Sequence, residues 1–348
     1  MKKSSKSLLA LVLFGLLFNS CTTNVTYSGL RPADINLPSD IKNVVLVNRY
    51  KAEKGNSWLN VIEGIFSGEV AFADRRGVDQ ALSGLQQRLQ SGPKYNVAIA
   101  NEQLVGNGLG MFPPALDKNQ IQQLCALNNA DALLAIEAFD SDIAIATRPR
   151  ERKSKVNGVE VIEKFFEATE TVRITIGWRI YLAKTGNIID QHQMVNTRIF
   201  SAQGPTIPGA RAALLFPVDA IMQTGFSGGD AYGIRIAPSW VTYSRMIYSR
   251  AARSKKMKQA RRIAVRGDWV QAGEIWENMS KSPNVKVAKR SMYNRAVAAE
   301  MAGDFDKALS WARKAADTYN WRQADTYIFT LNIRLQELQR LDQQMKED

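Results

Sequence analysis

The chain has 348 residues, a formal net charge of +13, 45% hydrophobic residues and 23% charged residues. This length is enough for two domains that each bury a core, and the composition excludes a disordered or fibrous protein. Beyond the N-terminal segment, no apolar run approaches the roughly 20 residues that a membrane-spanning helix requires.

The positive charge is concentrated near the C-terminus. Residues 246–348 contain twenty Lys and Arg against twelve Asp and Glu, and Arg250–Arg266 alone holds eight basic residues and no acid. Such a run is typical of a solvated helix face, and contact with anionic lipid headgroups or an acidic partner is the alternative. Because no recognition motif accompanies the charge, we expect no nucleic-acid partner.

The first 20 residues are typical of an export signal. Lysines at positions 2, 3 and 6 precede an apolar run over Leu8–Phe18, which is too short to span a membrane. Leu17–Cys21 then resembles a lipobox, in which a small residue, here Ser20, precedes a cysteine that becomes lipidated. The resemblance implies that residues 1–20 are a lipoprotein signal peptide and that Cys21 is the lipidated N-terminus of the mature chain.

A lipid on Cys21 predicts stable attachment to a membrane. Residues Thr22–Thr26 lack the acids that resemble a surface-export signal in such lipoproteins. We therefore expect attachment to the outer membrane of the cell envelope on its periplasmic face, with the cell surface as the alternative. Residues 21–40 contain glycine and prolines that break any periodicity, and they are interpreted as a tether. Cys125 then has no disulfide partner and is expected to be buried.

Residues 41–238 are predicted to form an α/β domain. Strands and helices alternate along its first half, over residues 41–47, 78–89, 95–100, 121–127 and 130–136. Residues 171–182 then alternate as a strand does, and turns at Asn157–Gly158 and Lys184–Asn187 predict antiparallel hairpins. The expected fold class is α+β, with a mixed sheet in this domain and an all-helical domain after it.

Four features of this domain occur together: the opening strand, the helix that ends before the second strand, the Asn128–Ala132 entry to the third strand, and the strand that runs into Lys184–Gly186. They resemble the N-terminal domain of TolB and the related curli-secretion and penicillin-binding-protein-activator lipoproteins. The resemblance covers roughly residues 41–195. It implies a periplasmic α/β assembly module rather than an enzyme, and it identifies no partner or site.

Two stretches of this domain contain residue types that ligand sites or active sites use. Gly106–Gly110 is rich in glycine, but prolines follow it and remove the helix N-terminus that phosphate binding uses. The acids Asp131, Glu137, Asp140 and Asp142 are close in sequence, with no nucleophile or base beside them. The single histidine cannot build a multi-histidine metal site. We therefore expect no catalytic residue, no cofactor, no metal and no enzymatic activity.

Residues 239–348 are predicted to be helical and to contain a repeat with a shift of 36 residues. Its signature positions are Gly267, Trp269, Ala272 and Trp276, followed by Gly303, Phe305, Ala308 and Ala315. Glycine permits the tight turn between two helices, and alanine lets them approach closely. These residues resemble tetratricopeptide repeats. Ser239–Ala252 and an apolar stripe from Ala324 are predicted to form flanking helices, and a coiled-coil seam is the alternative for the stripe.

The whole arrangement resembles uncharacterised tetratricopeptide-containing lipoproteins of the Bacteroidetes, a family of unknown function. It favours a non-enzymatic adaptor that binds protein partners through the helical repeat, because such arrays commonly hold extended peptides on their concave face. The alternative is a module that binds an envelope polymer or a small ligand through the α/β domain. The sequence indicates neither the partner's identity nor the oligomeric state.

Overall fold

The computed structural model describes residues 21–50, 73–101, 104–106, 111–156 and 158–346. The predicted signal peptide, residues 1–20, lies outside the described residues. The α+β fold class is confirmed: a mixed sheet with its helices comes first along the chain, and helices dominate the last part. None of the helices in these ranges is long and apolar enough to cross a membrane.

The strands and helices follow one another along the described chain. The strands are β1 (Thr22–Arg31), β2 (Asn43–Asn48), β3 (Asn96–Ile99), β4 (Ala132–Val156), β5 (Val159–Leu182), β6 (Ile188–Gly204) and β7 (Ser239–Tyr248). The helices are α1 (Ala73–Ser91), α2 (Lys118–Leu127), α3 (Ile207–Ala212), α4 (Pro217–Ile236), α5 (Lys255–Val265), α6 (Trp269–Met279), α7 (Val285–Met301), α8 (Phe305–Tyr319) and α9 (Arg322–Met345).

The chain divides into two compact units. The α/β unit consists of Pro32–Ser239 with Leu341–Asp348, and the helical unit consists of Met1–Arg31 with Trp240–Arg340, in each case as far as these ranges are described. The helical unit therefore contains β1, nearly all of β7, α5 to α8 and most of α9.

The five-stranded sheet of the α/β unit has the order β3-β2-β4-β5-β6. β2 pairs in parallel with β3 and β4, whereas β4, β5 and β6 pair antiparallel, as the turns in the sequence predict. The strands are longer than predicted. The sequence predicts separate strands over residues 130–136 and 143–147, which β4 joins, and over residues 159–166 and 171–182, which β5 joins. A bulge between Ile136 and Ala138 accommodates the register shift in the pairing of β4 with β5.

One face of this sheet carries the main core of the α/β unit. Val172, Ile174 and Ile176 point to this face together with Trp178, as their alternation predicts, and all four are fully buried. α1 and α4 cover them. The ring of Trp178 stacks on Tyr232 of α4 with the two centroids 4.9 Å apart.

Glycines allow α1 and α4 to pack backbone against backbone. A Cβ atom on Gly229 would lie 1.7 Å from the carbonyl oxygen of Ala81, and one on Gly84 would lie 2.0 Å from that of Phe226. Two helices can approach this closely only where no side chain intervenes. Helix α4 is not predicted from the sequence, because its four glycines disfavour a helix when they are considered alone.

Two helical hairpins, α5–α6 and α7–α8, carry the repeat. The turn glycines Gly267 and Gly303 have φ angles of +96° and +81°, in the left-handed region that favours glycine. The next residue in each copy, Asp268 or Asp304, caps the second helix by accepting a hydrogen bond from a backbone N–H three residues later. The Gly-Asp pair therefore recurs because both copies make the same turn.

The other signature positions lie in the core of the helical unit. Four are fully buried: Ala272, Trp276, Ala308 and Ala315. Trp269 and Phe305 pack partly against the same cluster. α9 closes the stack with Ala324 and Leu331 fully buried, so the apolar stripe of this helix packs inside the unit. The buried signature residues therefore support the fold of the helical unit.

Two predictions about the flanking segments are wrong. Thr22–Arg31, interpreted as part of a tether, is strand β1, and Ser239–Tyr248, interpreted as the start of a helix, is strand β7. The two strands pair in a two-stranded sheet, which we call the ribbon. Threonine, valine, tyrosine and tryptophan in these segments favour extended backbone, but the partner strands lie far apart along the chain.

Candidate functional site

The ribbon fixes the residue that is predicted to carry the lipid. Cys21 is exposed and immediately precedes β1. Its carbonyl oxygen accepts a 2.9 Å hydrogen bond from the backbone N–H of Ser249, which directly follows β7. A lipid on Cys21 would therefore leave the protein at the surface of the helical unit and not at the end of a loose tether.

The ribbon contacts α5, α7 and α9, which are the first helices of the two hairpins and the closing helix. Arg261 of α5 donates a 2.9 Å hydrogen bond to the hydroxyl of Thr23 in β1. The side-chain amide of Asn294 in α7 donates to and accepts from the backbone of Tyr248 in β7, at 2.8 Å each. Arg334 of α9 donates at 2.9 Å to a backbone carbonyl near the end of β1.

These contacts change where a partner could bind. By analogy with other helical arrays, protein partners are expected on the concave face of the repeat. In this chain the ribbon already forms hydrogen bonds with the layer of helices α5, α7 and α9. An extended peptide from another protein that used the same side chains would have to displace the ribbon.

A buried carboxylate, that of Glu300 in α7, connects the ribbon to two helices. It accepts hydrogen bonds from Arg245 of β7 at 2.6 Å, from Tyr27 of β1 at 2.8 Å and from Tyr327 of α9 at 2.5 Å. Glu300 is 2% exposed. Burial, together with the nearby Glu300 charge, raises the pKa of Tyr327 well above its ordinary value, so this hydroxyl remains a donor.

A groove of about 550 Å³ opens beside the first residues of the ribbon. Its lining consists of Thr22, Thr23, Ser249, Arg250, Lys255, Lys258, Arg261 and Arg262. The basic run that stands out in the sequence therefore lies next to the predicted lipidation site, because Thr22 directly follows Cys21. We call this feature the basic groove.

The five positive charges of the basic groove have no carboxylate partner among the residues that the structure describes. α5 turns Met257, Ala260 and Ala264 inward, which leaves its basic side chains outside. The groove can therefore attract anionic groups.

Two of the four acids that are close in sequence, Asp131 and Glu137, have structural partners. Asp131 accepts a 2.8 Å hydrogen bond from a backbone N–H at the start of β2. Glu137 is fully buried and forms ion pairs with Arg49 at 2.9 Å and Arg179 at 2.5 Å, and it accepts a 2.6 Å hydrogen bond from Tyr181. These groups satisfy one another's charge and hydrogen bonds.

Asp140 and Asp142 are exposed on either side of Ser141. The hydroxyl of Ser141 donates a 2.5 Å hydrogen bond to Asp74 of α1, a residue that sequence reasoning missed because it comes from a distant element. Burial raises the pKa of Asp74 to about 6, and the charge of Asp140 adds to this effect. This contact places the Ser141 hydroxyl against the Asp74 carboxyl group.

The structure describes only some of the remaining residues that the sequence singled out. Residues 107–110 of the glycine-rich stretch and Asn157 of a predicted hairpin turn lie outside the described residues. His192 lies on β6 with its ring 6.2 Å from that of Tyr232, and burial lowers its pKa. In the ranges that the structure describes, no group of three or more His, Cys, Asp and Glu residues could hold a metal ion.

Comparison with known proteins identifies two family models. The model described as Domain of unknown function (DUF8603) matches residues 41–248, which is more than half of the chain. The model described as Domain of unknown function (DUF6340) matches residues 258–339, within the helical unit. No curated protein matches this chain.

Two solved structures are similar at low identity. A Caulobacter crescentus CB15 protein described as a lipoprotein is 12% identical over 54% of this chain and 85% of its own, with a TM-score of 0.19. A Helicobacter pylori protein described as a homologue of a neuraminyllactose-binding hemagglutinin is 12% identical over 59% of this chain and 85% of its own, with a TM-score of 0.24. Both TM-scores are too low to bear on function.

Proposed function

Since the chain belongs to the family described as Domain of unknown function (DUF8603), whose description assigns no activity, we propose a function from the geometry of the helical unit. The protein is a lipid-anchored, non-enzymatic adaptor of the cell envelope. The observation that carries this proposal is the ribbon, which begins one residue after Cys21 and is bound by α5, α7 and α9. Such an anchor holds a folded helical unit at the membrane.

The location of the anchor follows from the sequence around Cys21. The absence of acids from Thr22–Thr26 supports retention on the periplasmic face of the outer membrane, with the cell surface as the alternative. These residues are also the first half of β1, so they are held in the ribbon and are less accessible to an export receptor than a loose tether would be.

A protein partner requires a surface that the ribbon leaves open. α9 exposes Phe329 and Ile333, which are 66% and 42% exposed and lie one helical turn apart. Exposed apolar side chains at this spacing are typical of a helix face that contacts a partner. We propose this face of α9 as the adaptor surface, in place of the layer with which the ribbon forms hydrogen bonds.

Acylation of Cys21 is tested by metabolic labelling with a radioactive or clickable fatty acid. The wild-type chain is expected to incorporate the label and to sediment with membranes, because more than one acyl chain makes attachment effectively stable. The Cys21→Ala variant is expected to lose the label completely. Cys125→Ala serves as the matched control and should keep it. Label that persists on the Cys21→Ala variant contradicts the anchor.

Partner binding is tested by cross-linking in cells with two matched double variants. Phe329→Ser with Ile333→Ser alters the α9 face, and Leu215→Ser with Phe216→Ser alters exposed apolar residues of the α/β unit. The first pair is expected to weaken the cross-linked species about thirtyfold, because a central apolar anchor contributes about 2 kcal/mol or more. The second pair should leave it unchanged. The reverse pattern would favour a binding module in the α/β unit.

A further inference from the structure

We propose that the basic groove binds the phosphate-bearing headgroups of anionic lipids in the same membrane that holds the anchor. The inference rests on the proposed function, because the lipid on Cys21 is what brings the groove to a bilayer. It adds a second membrane contact, formed by folded parts of the helical unit, to the covalent one.

The position of the groove is the first support. Thr22 and Thr23, which follow Cys21 directly, form part of its wall, and Arg261 is fixed in it by the 2.9 Å hydrogen bond to Thr23. The backbone of Cys21 is itself bound to Ser249, which also lines the groove. Acyl chains on Cys21 would therefore enter the bilayer beside the groove, and headgroups would lie at its mouth.

The charge of the groove is the second support. Lys255, Lys256 and Lys258 occupy the first turn of α5, and no acid accompanies them. The N-terminal end of a helix carries a partial positive charge, so cations there destabilise the helix. Neither these lysines nor the neighbouring Arg262 forms an ion pair within the described chain, so no carboxylate of the described residues offsets the repulsion. An external anion offsets it.

Headgroups of the anchoring membrane fit better than other anions. A free phosphate compound or an acidic polypeptide would have to reach the groove from solution, whereas the anchor brings headgroups to it continuously. Basic residues close to a bilayer that contains anionic lipid strengthen association by about fivefold each. The groove contributes five such residues: Arg250, Lys255, Lys258, Arg261 and Arg262.

The test uses the mature chain, residues 21–348, with Cys21→Ala, so that only folded surfaces can bring it to a membrane. Sedimentation is measured with vesicles of phosphatidylcholine alone and with vesicles that also contain phosphatidylglycerol. The chain is expected to bind the anionic vesicles and not the neutral ones. Lys255→Gln, Lys258→Gln and Arg262→Gln together are expected to weaken this binding about a hundredfold.

A second triple variant removes the same charge from another part of the helical unit. Lys281→Gln, Lys307→Gln and Arg313→Gln are at exposed positions and should leave binding unchanged. All six positions are exposed, and circular dichroism checks that each variant retains its helices. Equal losses in the two triple variants would show an effect of net charge alone and would overturn the assignment to the groove.

Two further binding measurements distinguish lipid headgroups from soluble anions. Inorganic phosphate and polyglutamate are added separately, at matched ionic strength, to the chain without vesicles. If either binds through the groove residues while anionic vesicles do not bind, the lipid assignment is wrong. Because the chain in these assays has no acyl group, failure of the groove and failure of Cys21 acylation are measured independently.

Discussion

Replacing Glu300 by alanine is expected to lower the free energy of unfolding of the helical unit by about 3–5 kcal/mol, the usual effect of removing one partner from a buried ion pair. The side chain of Arg245, which is 10% exposed, would lose its carboxylate partner. The hydroxyls of Tyr27 and Tyr327 would also lose their acceptor. Thermal denaturation followed by circular dichroism measures the loss.

The same substitution is expected to release the ribbon, because Glu300 joins β1 and β7 to α7 and α9. Amide hydrogen exchange should therefore accelerate in Thr22–Arg31 more than in α6 or α8. Glu274→Ala removes an exposed acid of α6 and serves as the control, with an expected change within about 0.5 kcal/mol. A Glu300→Ala variant with wild-type stability and a protected β1 would contradict the proposed role of this carboxylate.

Gly229→Ala is expected to destabilise the α/β unit by about 3 kcal/mol, although alanine normally stabilises a helix interior relative to glycine by about 1 kcal/mol. Here the substitution is expected to lower the free energy of unfolding instead, because the new Cβ would lie 1.7 Å from the carbonyl oxygen of Ala81. Backbone atoms cannot rotate away as a flexible side chain can, so α1 and α4 must separate. Urea denaturation followed by near-ultraviolet circular dichroism, which reports on the stacked Trp178 and Tyr232, measures the loss.

The control for this variant is Gln87→Ala on the exposed side of α1. Alanine and glutamine have similar helix propensities, so we expect a change within about 0.5 kcal/mol. If Gly229→Ala were as stable as Gln87→Ala, the two helices would have to be farther apart than their backbone contacts indicate.

Local patterns predicted much of the fold. Alternation along residues 172–180 identified the buried face of β5, and the spacing of Gly267 and Gly303 identified the two hairpin turns. Both signals act over a few residues, where side-chain direction or backbone conformation decides the outcome. α4 was missed because its glycines satisfy a packing requirement with α1 that helix propensity does not express.

The sequence predicts the two parts of the candidate site but not that they lie close together. Cys21 and the basic run over Arg250–Arg266 were identified separately, with most of the chain between them. Their proximity depends on the pairing of β1 with β7, and a two-stranded sheet between distant segments leaves no periodic signal that joins them. The hydrogen bonds around Glu300 could not be predicted for the same reason, because the four side chains come from β1, β7, α7 and α9.

The ribbon also changes how a truncated protein should be interpreted. Deleting the helices from residue 253 onward would remove the contacts of α5, α7 and α9 that hold β1 and β7. If such a truncated protein no longer bound its partner, the cause could be the missing adaptor surface. It could equally be the newly exposed edges of β1 and β7. Point variants on α9 avoid this ambiguity, because they leave the ribbon in place.

The central claim is that the anchor holds the helical unit against the membrane on the side of α5. It is tested with the lipidated protein in vesicles whose headgroups carry a quencher, using a fluorophore attached at Gln259→Cys in α5 or at Ser310→Cys in α8. Both positions are exposed. The buried thiol of Cys125, whose pKa burial raises to about 11, should not react with the fluorophore.

The fluorophore on α5 is expected to be strongly quenched, because that helix borders the residue that carries the lipid. The fluorophore on α8, a second helix of its hairpin, is expected to be quenched much less. Equal quenching at the two positions, or stronger quenching on α8, would contradict the account.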